Sequence, residues 1–231
     1  MSHVLLVLPN PDWIQLTNVY LKFDKHLFTE AYTLTTLPGK LASLTQNSKI
    51  HVIGHGNCYG PQHSTVPGVA QALKDSGMPD NGTTIRLDTC SSAGVVPKGL
   101  QNFAQNLSTT LKASPFSFKN VKVEGTVGAS ITGFKEGREV VDPATMPYAR
   151  DAQGVMSVLF YDEISQAASL IAKGWRENLS SSDIRMLAFQ VHLKTSEFFK
   201  CFRKYLINFP KVKGTPAILL DKQTAHYKDK Y

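Results

Sequence analysis

Two short apolar segments of this chain are built alike, and together they limit what it can fold into. KIHVIGHG covers residues 49–56, and TTIRLDTC covers residues 83–90. In each segment an alternating, partly β-branched apolar run stops at a polar group, which is typical of a buried strand. One ending carries His55 and the other carries Cys90. Because functional groups gather beyond the carboxyl ends of parallel strands, the pair predicts the two halves of a nucleophilic site.

Strand-like and helix-like segments alternate through the first half of the chain. The pattern predicts strands near residues 4–8, 32–37, 50–53, 84–87 and 121–127, and helices near 12–28, after Pro38-Gly39, and at 66–76 and 97–112. This alternation predicts an α/β fold with a mostly parallel sheet.

Beyond residue 150 the pattern changes to helices. These are predicted at 156–173 and 183–209, and a last strand is predicted at Ala217–Leu220. We therefore expect an α/β domain over residues 1–150. A mainly helical region over 151–231 either packs on it or recognises a substrate or partner.

Composition places the chain among ordinary globular proteins, with 42% hydrophobic and 19% charged residues. No apolar run approaches the roughly 20 residues that cross a bilayer. The first residues, MSHVLLVLPNP, have no basic leader or cleavage site, so they predict a strand and a cytoplasmic protein; export into a host by a specialised secretion system stays open. The three cysteines, Cys58, Cys90 and Cys201, fit neither a disulfide framework nor a CxxC zinc site, which favours a reducing compartment.

The net charge of +7 raises the question of an anionic partner. Much of the excess lies in one cluster, made of Lys194, Lys200, Arg203, Lys204, Lys211 and Lys213. A solvated helix face is the simpler interpretation, and a binding patch is the alternative. We do not expect nucleic acid, because the aromatic residues here coincide with the basic ones on a helix and do not interleave with them on strands.

A cysteine at the tip of a strand has chemical advantages if a helix follows. The helix N-terminus lowers the pKa of the thiol, and the cysteine's own N–H can stabilise an oxyanion. A histidine on the neighbouring strand can move the proton. Gly56, next to His55, lets the chain turn and bring a second N–H to the same oxyanion.

Other cysteine chemistries fit these residues less well. A phosphatase loop needs an arginine six residues after the cysteine, where this chain has Val96, and DTCSS lacks one residue of the ketosynthase motif. GHGNCYG lacks the third glycine of a nucleotide-binding loop. His51 and His55 would lie about 13 Å apart along a strand, too far to share zinc with Cys58. A cysteine that only fills the core stays an alternative.

The paired endings resemble the motifs of the caspase-fold cysteine peptidases, clan CD. This group includes caspases, metacaspases, legumain, clostripain, gingipains and the self-processing domains of large bacterial toxins. Metacaspases give the closest local match: their motifs read SGHG and DSCHSG, where this chain has IGHG and DTCSSAG. The resemblance covers about residues 1–130, and it departs at Gly94, which lies four residues after Cys90 where metacaspases have a glycine two after.

The resemblance implies a caspase-like three-layer α/β sandwich and a cysteine endopeptidase without a cofactor. His55 and Cys90 would be the catalytic dyad, with no orienting acid required. The N–H groups of Gly56 and Cys90 would form the oxyanion hole. Asp88 would line the S1 pocket and favour cleavage after Arg or Lys, since a buried carboxylate needs a cation; the alternative for Asp88 is helix capping.

The resemblance also suggests two forms of regulation in an effector or toxin-type protease. The loop with Arg138, Arg150 and Asp151 would be an autoprocessing site, against the simpler reading of a charged surface loop. The basic cluster would bind an anionic activator, as inositol hexakisphosphate does in the toxin domains.

Three other functions stay open. The chain could be a catalytically silent caspase-fold interaction protein, a basic protein that binds anions or nucleic acid, or an acyl transferase or ligase with the same dyad. The intact histidine and cysteine favour catalysis.

Overall fold

A computed structural model describes residues 2–24, 28–127, 129–131, 139–141, 158–174, 179–208 and 227–228. Its strands are β1 His3–Val7, β2 Glu30–Thr33, β3 Lys49–Ile53, β4 Gly56–Asn57, β5 Gly60–Pro61, β6 Thr84–Asp88, β7 Lys122–Thr126, β8 Ala129–Ile131, β9 Glu139–Val141 and β10 Tyr227–Lys228. Its helices are α1 Trp13–Asp24, α2 Val66–Asp75, α3 Phe103–Lys112, α4 Tyr161–Gly174 and α5 Ser181–Asn208.

The central sheet has the strand order β2-β1-β3-β6-β7-β10. All neighbours pair in parallel except β10, which runs antiparallel to β7. The chain moves outward from β1 to β2 and then crosses back to β3, as in doubly wound α/β sheets. In such sheets a crevice opens beyond the carboxyl ends of the two strands where the order reverses, here β1 and β3. The predicted α/β class with a mostly parallel sheet is confirmed.

Helices cover both faces of this sheet, because the strands alternate apolar side chains between two cores. Leu6, Val52 and Leu87 point into one core with residues of α2 and α3. Leu5 and Val7 point into the other, with residues of α1, α4 and α5. The result is the predicted three-layer sandwich.

The C-terminal helices contribute to the second of these cores. Their buried side chains include Ile184, Leu187, Val191 and Phe198, and the last packs edge-to-face on Trp13 with ring centroids 5.1 Å apart. The stripe predicted for this helix is therefore core at those four positions. The side chains of Phe202 and Tyr205, also predicted in the stripe, lie outside the described residues.

One predicted helix begins later than expected, and another is not formed. The helix expected from Pro97 begins at Phe103, because Gly99 turns the chain with φ of 90° and Asn102 and Gln105 form a reciprocal capping box. The segment after Pro38-Gly39 forms turns, in which Leu44 N–H bonds to the carbonyl of Leu41, three residues back. The strand predicted at Ala217–Leu220 lies outside the described residues.

Replacing one core residue of α5 tests whether this helix stabilises the sheet. Ile184 is fully buried, so Ile184→Ala should lower the free energy of unfolding by about 2–5 kcal/mol. Met186, on the same helix, is 56% exposed, so Met186→Ala should change it by less than about 0.5 kcal/mol. Urea unfolding measures both values; equal, small effects would show that α5 does not pack on the sheet in solution.

Candidate catalytic site

The pairing of β3 with β6 sets the positions of His55 and Cys90. The two strands are parallel, and their last paired residues are Ile53 and Asp88. His55 and Cys90 each follow two residues later, so both leave the same edge of the sheet from neighbouring strands. Both side chains are half-buried. The sequence-based prediction of their location at adjacent strand ends is confirmed, while their catalytic roles stay a prediction.

The two glycines that flank His55 are required by close contacts. A Cβ atom on Gly54 would lie 2.7 Å from the Cβ atom of Leu8. A Cβ atom on Gly56 would lie 2.8 Å from the carbonyl oxygen of Gly60, across the small β4–β5 hairpin. Both distances are shorter than real contacts, so the GHG sequence lets β3 pass β1 and turn sharply. The oxyanion role of Gly56 stays a prediction.

The imidazole of His55 is held by the start of α1. Its Nε2 atom lies 2.8 Å from Asp12 Oδ2, and its Nδ1 atom lies 3.1 Å from Gln15 Nε2. Asp12 follows β1, which pairs with β3, so this cluster lies where the strand order reverses. The cluster therefore occupies the crevice in which doubly wound sheets bind their ligands.

Asp12 and Gln15 are fixed because they also cap α1. The Asp12 N–H donates to Gln15 Oε1 at 2.7 Å, and the Gln15 N–H donates to Asp12 Oδ1 at 3.0 Å. This reciprocal arrangement is a capping box. It directs the Gln15 amide nitrogen at His55, so a neutral imidazole accepts at Nδ1 and donates from Nε2 to Asp12.

Asp12 also sets the protonation of the site. Its hydrogen bond raises the pKa of His55 above the ordinary 6.5; partial burial opposes the shift, and the carboxylate charge adds to it. The imidazole therefore keeps its proton to a higher pH, which suits a general acid. The motifs around His55 and Cys90 did not predict a carboxylate partner for His55. The sequence feature that could have indicated Asp12 is the capping pattern Asp12-x-x-Gln15 at the start of an apolar helix.

Cys90 lies in a tight turn. Ser92 N–H bonds to Thr89 O at 3.4 Å, and Ser91 has a positive φ of 52°. No helix begins within residues 91–102, all of which the structure describes, although one was expected from Pro97. Cys90 is therefore not the first residue of a helix.

The turn that carries Cys90 is anchored to β7. Ala93 N–H donates to Thr126 O at 2.8 Å, and the Thr126 hydroxyl donates to Thr89 O at 2.6 Å. The Ser92 hydroxyl donates to Leu87 O at 3.1 Å and accepts from Thr126 N–H at 2.9 Å. These bonds are buried, so they fix the backbone on both sides of the thiol.

Asp88 has a different environment from the one predicted. Its carboxylate has no exposed surface, and its Oδ2 atom lies 3.3 Å from His51 Nδ1. His51 in turn stacks on His3, with ring centroids 5.7 Å apart. A turn follows Asp88 and the next helix begins only at Phe103, so the capping alternative is wrong. An S1 role stays a prediction, and a substrate cation would have to uncover this buried carboxylate to reach it.

The two histidines of the zinc alternative, His51 and His55, have separate partners in the structure. His51 bonds to Asp88, whereas His55 bonds to Asp12. Among the residues that the structure describes, no group of three His, Cys, Asp or Glu side chains could hold a metal ion.

The remaining predicted sites are described only in part. Lys194 and Lys200 are exposed on α5, and Lys200 pairs with Glu197. The side chains of Arg203, Lys204, Lys211 and Lys213 lie outside the described residues, as does the proposed processing loop with Arg138, Arg150 and Asp151. None of the described helices is long and apolar enough to cross a membrane.

Neutralising Asp12 tests the electrostatics of this cluster. Asp12→Asn keeps an N-cap residue but removes the charge, so the pKa of His55 should fall toward 6.5, as followed by NMR titration of its ring protons. Asp183→Asn, which changes an exposed carboxylate in the α5 capping pair, is the control and should leave His55 unchanged.

The same variant should show a pH-dependent loss of stability. The folded-state pKa of His55 is raised, so the contact stabilises the fold fully below the unfolded-state pKa. This contribution disappears as the pH rises through the folded-state value. Wild type and Asp12→Asn should therefore differ more in unfolding free energy at about pH 5.5 than at about pH 9, because these two values lie on either side of the histidine titration. A His55 titration identical in both proteins would contradict the assignment.

Comparisons with family models, curated proteins and solved structures find no match for this chain. The resemblance to caspase-fold peptidases thus rests on the residues around His55 and Cys90 alone.

Proposed function

We propose that the protein is a cysteine endopeptidase in which Cys90 is the nucleophile and His55 carries the proton. The parallel register of β3 and β6, which brings both residues to one edge of the sheet, is the observation that carries the proposal. The Asp12 carboxylate on His55 adds support, since a charged imidazole needs such a partner. That the substrate is a peptide is inferred from the local resemblance to metacaspases.

The reaction would proceed through an acyl-enzyme. The Cys90 thiolate attacks the peptide carbonyl carbon, and the N–H groups of Cys90 and Gly56 stabilise the resulting oxyanion. The C–N bond then breaks as the imidazolium of His55 protonates the leaving amine. Water then attacks the thioester as His55 takes one of its protons, and the C–S bond breaks to release the acid, which restores the Cys90 thiolate and the His55 imidazolium.

This role requires one ring nitrogen of His55 to exchange its partner. Both nitrogens contact residues at the start of α1. The Gln15 contact is the weaker one, because it is longer and joins neutral groups, whereas Asp12 is a carboxylate. Protonating Nδ1 would also set two donors face to face, since the Gln15 amide nitrogen points at that atom. Uptake of the second proton therefore favours releasing Gln15 and turning Nδ1–H toward the substrate.

A non-catalytic interaction protein is the second candidate function. Met186 and Leu193 on α5 are more than half exposed, as are Leu159 and Tyr161 around the start of α4. Exposed apolar side chains of this kind mark interaction surfaces when they form a patch. This function would need neither His55 nor Cys90.

Covalent labelling distinguishes the two candidates. A peptide acyloxymethyl ketone should label wild type, because the Cys90 thiolate displaces its carboxylate leaving group and forms a thioether. Labelling should vanish in Cys90→Ala. Cys58→Ala is the matched control, since Cys58 is half-buried like Cys90 and is not in a disulfide. It should be labelled like wild type.

Mass spectrometry identifies the labelled residue. Labelling that persists in Cys90→Ala, or that lies on Cys58, would contradict the proposal. So would the absence of labelling of the folded protein in buffer and in cell lysate, which supplies any activator. That last result would favour the interaction protein.

A further inference from the structure

A cavity of about 390 Å³ adjoins the residue that follows His55. It lies between the β4–β5 hairpin and the start of α2. Its walls include Gly56, Asn57, Tyr59, Gln62, Ser64 and Thr65. The cavity is on the side of the sheet covered by α2 and α3 and is large enough for one side chain of a bound peptide.

The cavity has hydrogen-bonding walls without a charged side chain. The Asn57 side chain already accepts from Tyr59 N–H at 2.8 Å, and the Thr65 hydroxyl accepts from Gly68 N–H at 3.0 Å. Within the described part of the chain, the side-chain amide of Gln62 and the hydroxyl of Ser64 make no hydrogen bonds, whereas the Gln62 backbone N–H donates to the His55 carbonyl. These two side chains can therefore serve a ligand as donors and acceptors.

A cationic side chain would be unfavourable in this cavity. Thr65 is the N-cap of α2, so the positive end of the helix dipole faces the cavity. Asp88, the carboxylate that the resemblance places in S1, instead contacts His51 on the opposite face of the sheet. None of the described wall residues is a carboxylate that could pair with such a cation. A full negative charge would find no basic side chain among these walls.

We propose that this cavity is the S1 subsite and takes an uncharged, hydrogen-bonding side chain, best matched by the carboxamide of Asn or Gln. A carboxamide both donates and accepts, as the Gln62 amide and the Ser64 hydroxyl do. This assignment rests on the proposed peptidase function and replaces the Arg or Lys preference that the sequence resemblance implies.

A set of probes that differ in one residue tests the subsite. The probes are peptide acyloxymethyl ketones with Asn, Gln, Arg, Lys, Asp or Leu at P1, used on wild type and Cys90→Ala. The Asn and Gln probes should label Cys90 about tenfold faster or more than the Arg and Lys probes, because a cation in this cavity is left unpaired.

A carboxylate placed in the wall should reverse this preference. Gln62 is exposed at the rim, so Gln62→Glu should fold and should raise labelling by the Arg and Lys probes relative to Asn. Gln190→Glu makes the same change on the exposed surface of α5 and should leave the order of the probes unchanged.

The outcomes separate this proposal from the one on which it rests. Cys90-dependent labelling led by Arg, Lys, Asp or Leu would overturn the subsite and leave the peptidase in place. An unchanged order of probes in Gln62→Glu would also overturn the subsite. If no probe labels Cys90, the peptidase function itself fails, and the subsite fails with it.

Discussion

The parallel pairing of β3 with its neighbours β1 and β6 is the constraint on which the candidate site depends. The β1 pairing brings the start of α1 to the end of β3, and the β6 pairing brings Cys90 to the same edge. A shift of one residue in either register would turn His55 or Cys90 to the other face of its strand. The buried bonds between the Cys90 turn and β7 extend this constraint to a third strand. The geometry of the site is thus a property of the sheet.

The two carboxylates near the site, Asp12 and Asp88, have different environments and different partners. Asp12, at the edge of the sheet, is partly exposed and raises the pKa of His55. Asp88 has no exposed surface and pairs with His51 inside the layer covered by α1 and α5. A carboxylate two residues before the cysteine therefore does not by itself make a binding pocket for a cation. What it contacts depends on which face of the strand it occupies.

Local sequence patterns predicted the strands that carry the site, but they did not predict the contacts between residues far apart in sequence. The apolar alternation at residues 50–53 and 84–87 was sufficient to locate β3 and β6, because buried parallel strands need that pattern. The start of α3 was missed, since Pro97 is typical of a first helical turn but the capping box at Asn102 and Gln105 fixes the start. The contact of Asp12 with His55 joins residues far apart in sequence. It follows from the strand order, which periodicity does not encode.

The pH dependence of Cys90 alkylation tests most directly whether His55 and Cys90 form one site. Iodoacetamide would be applied to a protein in which Cys58 and Cys201 are Ser, so that the rate reports on Cys90. The rate profile should bend at the pH where His55 titrates by NMR. That bend should persist in His63→Gln, which alters an exposed histidine, and disappear in His55→Gln. The same profile in all three proteins would show that the imidazole does not influence the thiol, and would contradict the account.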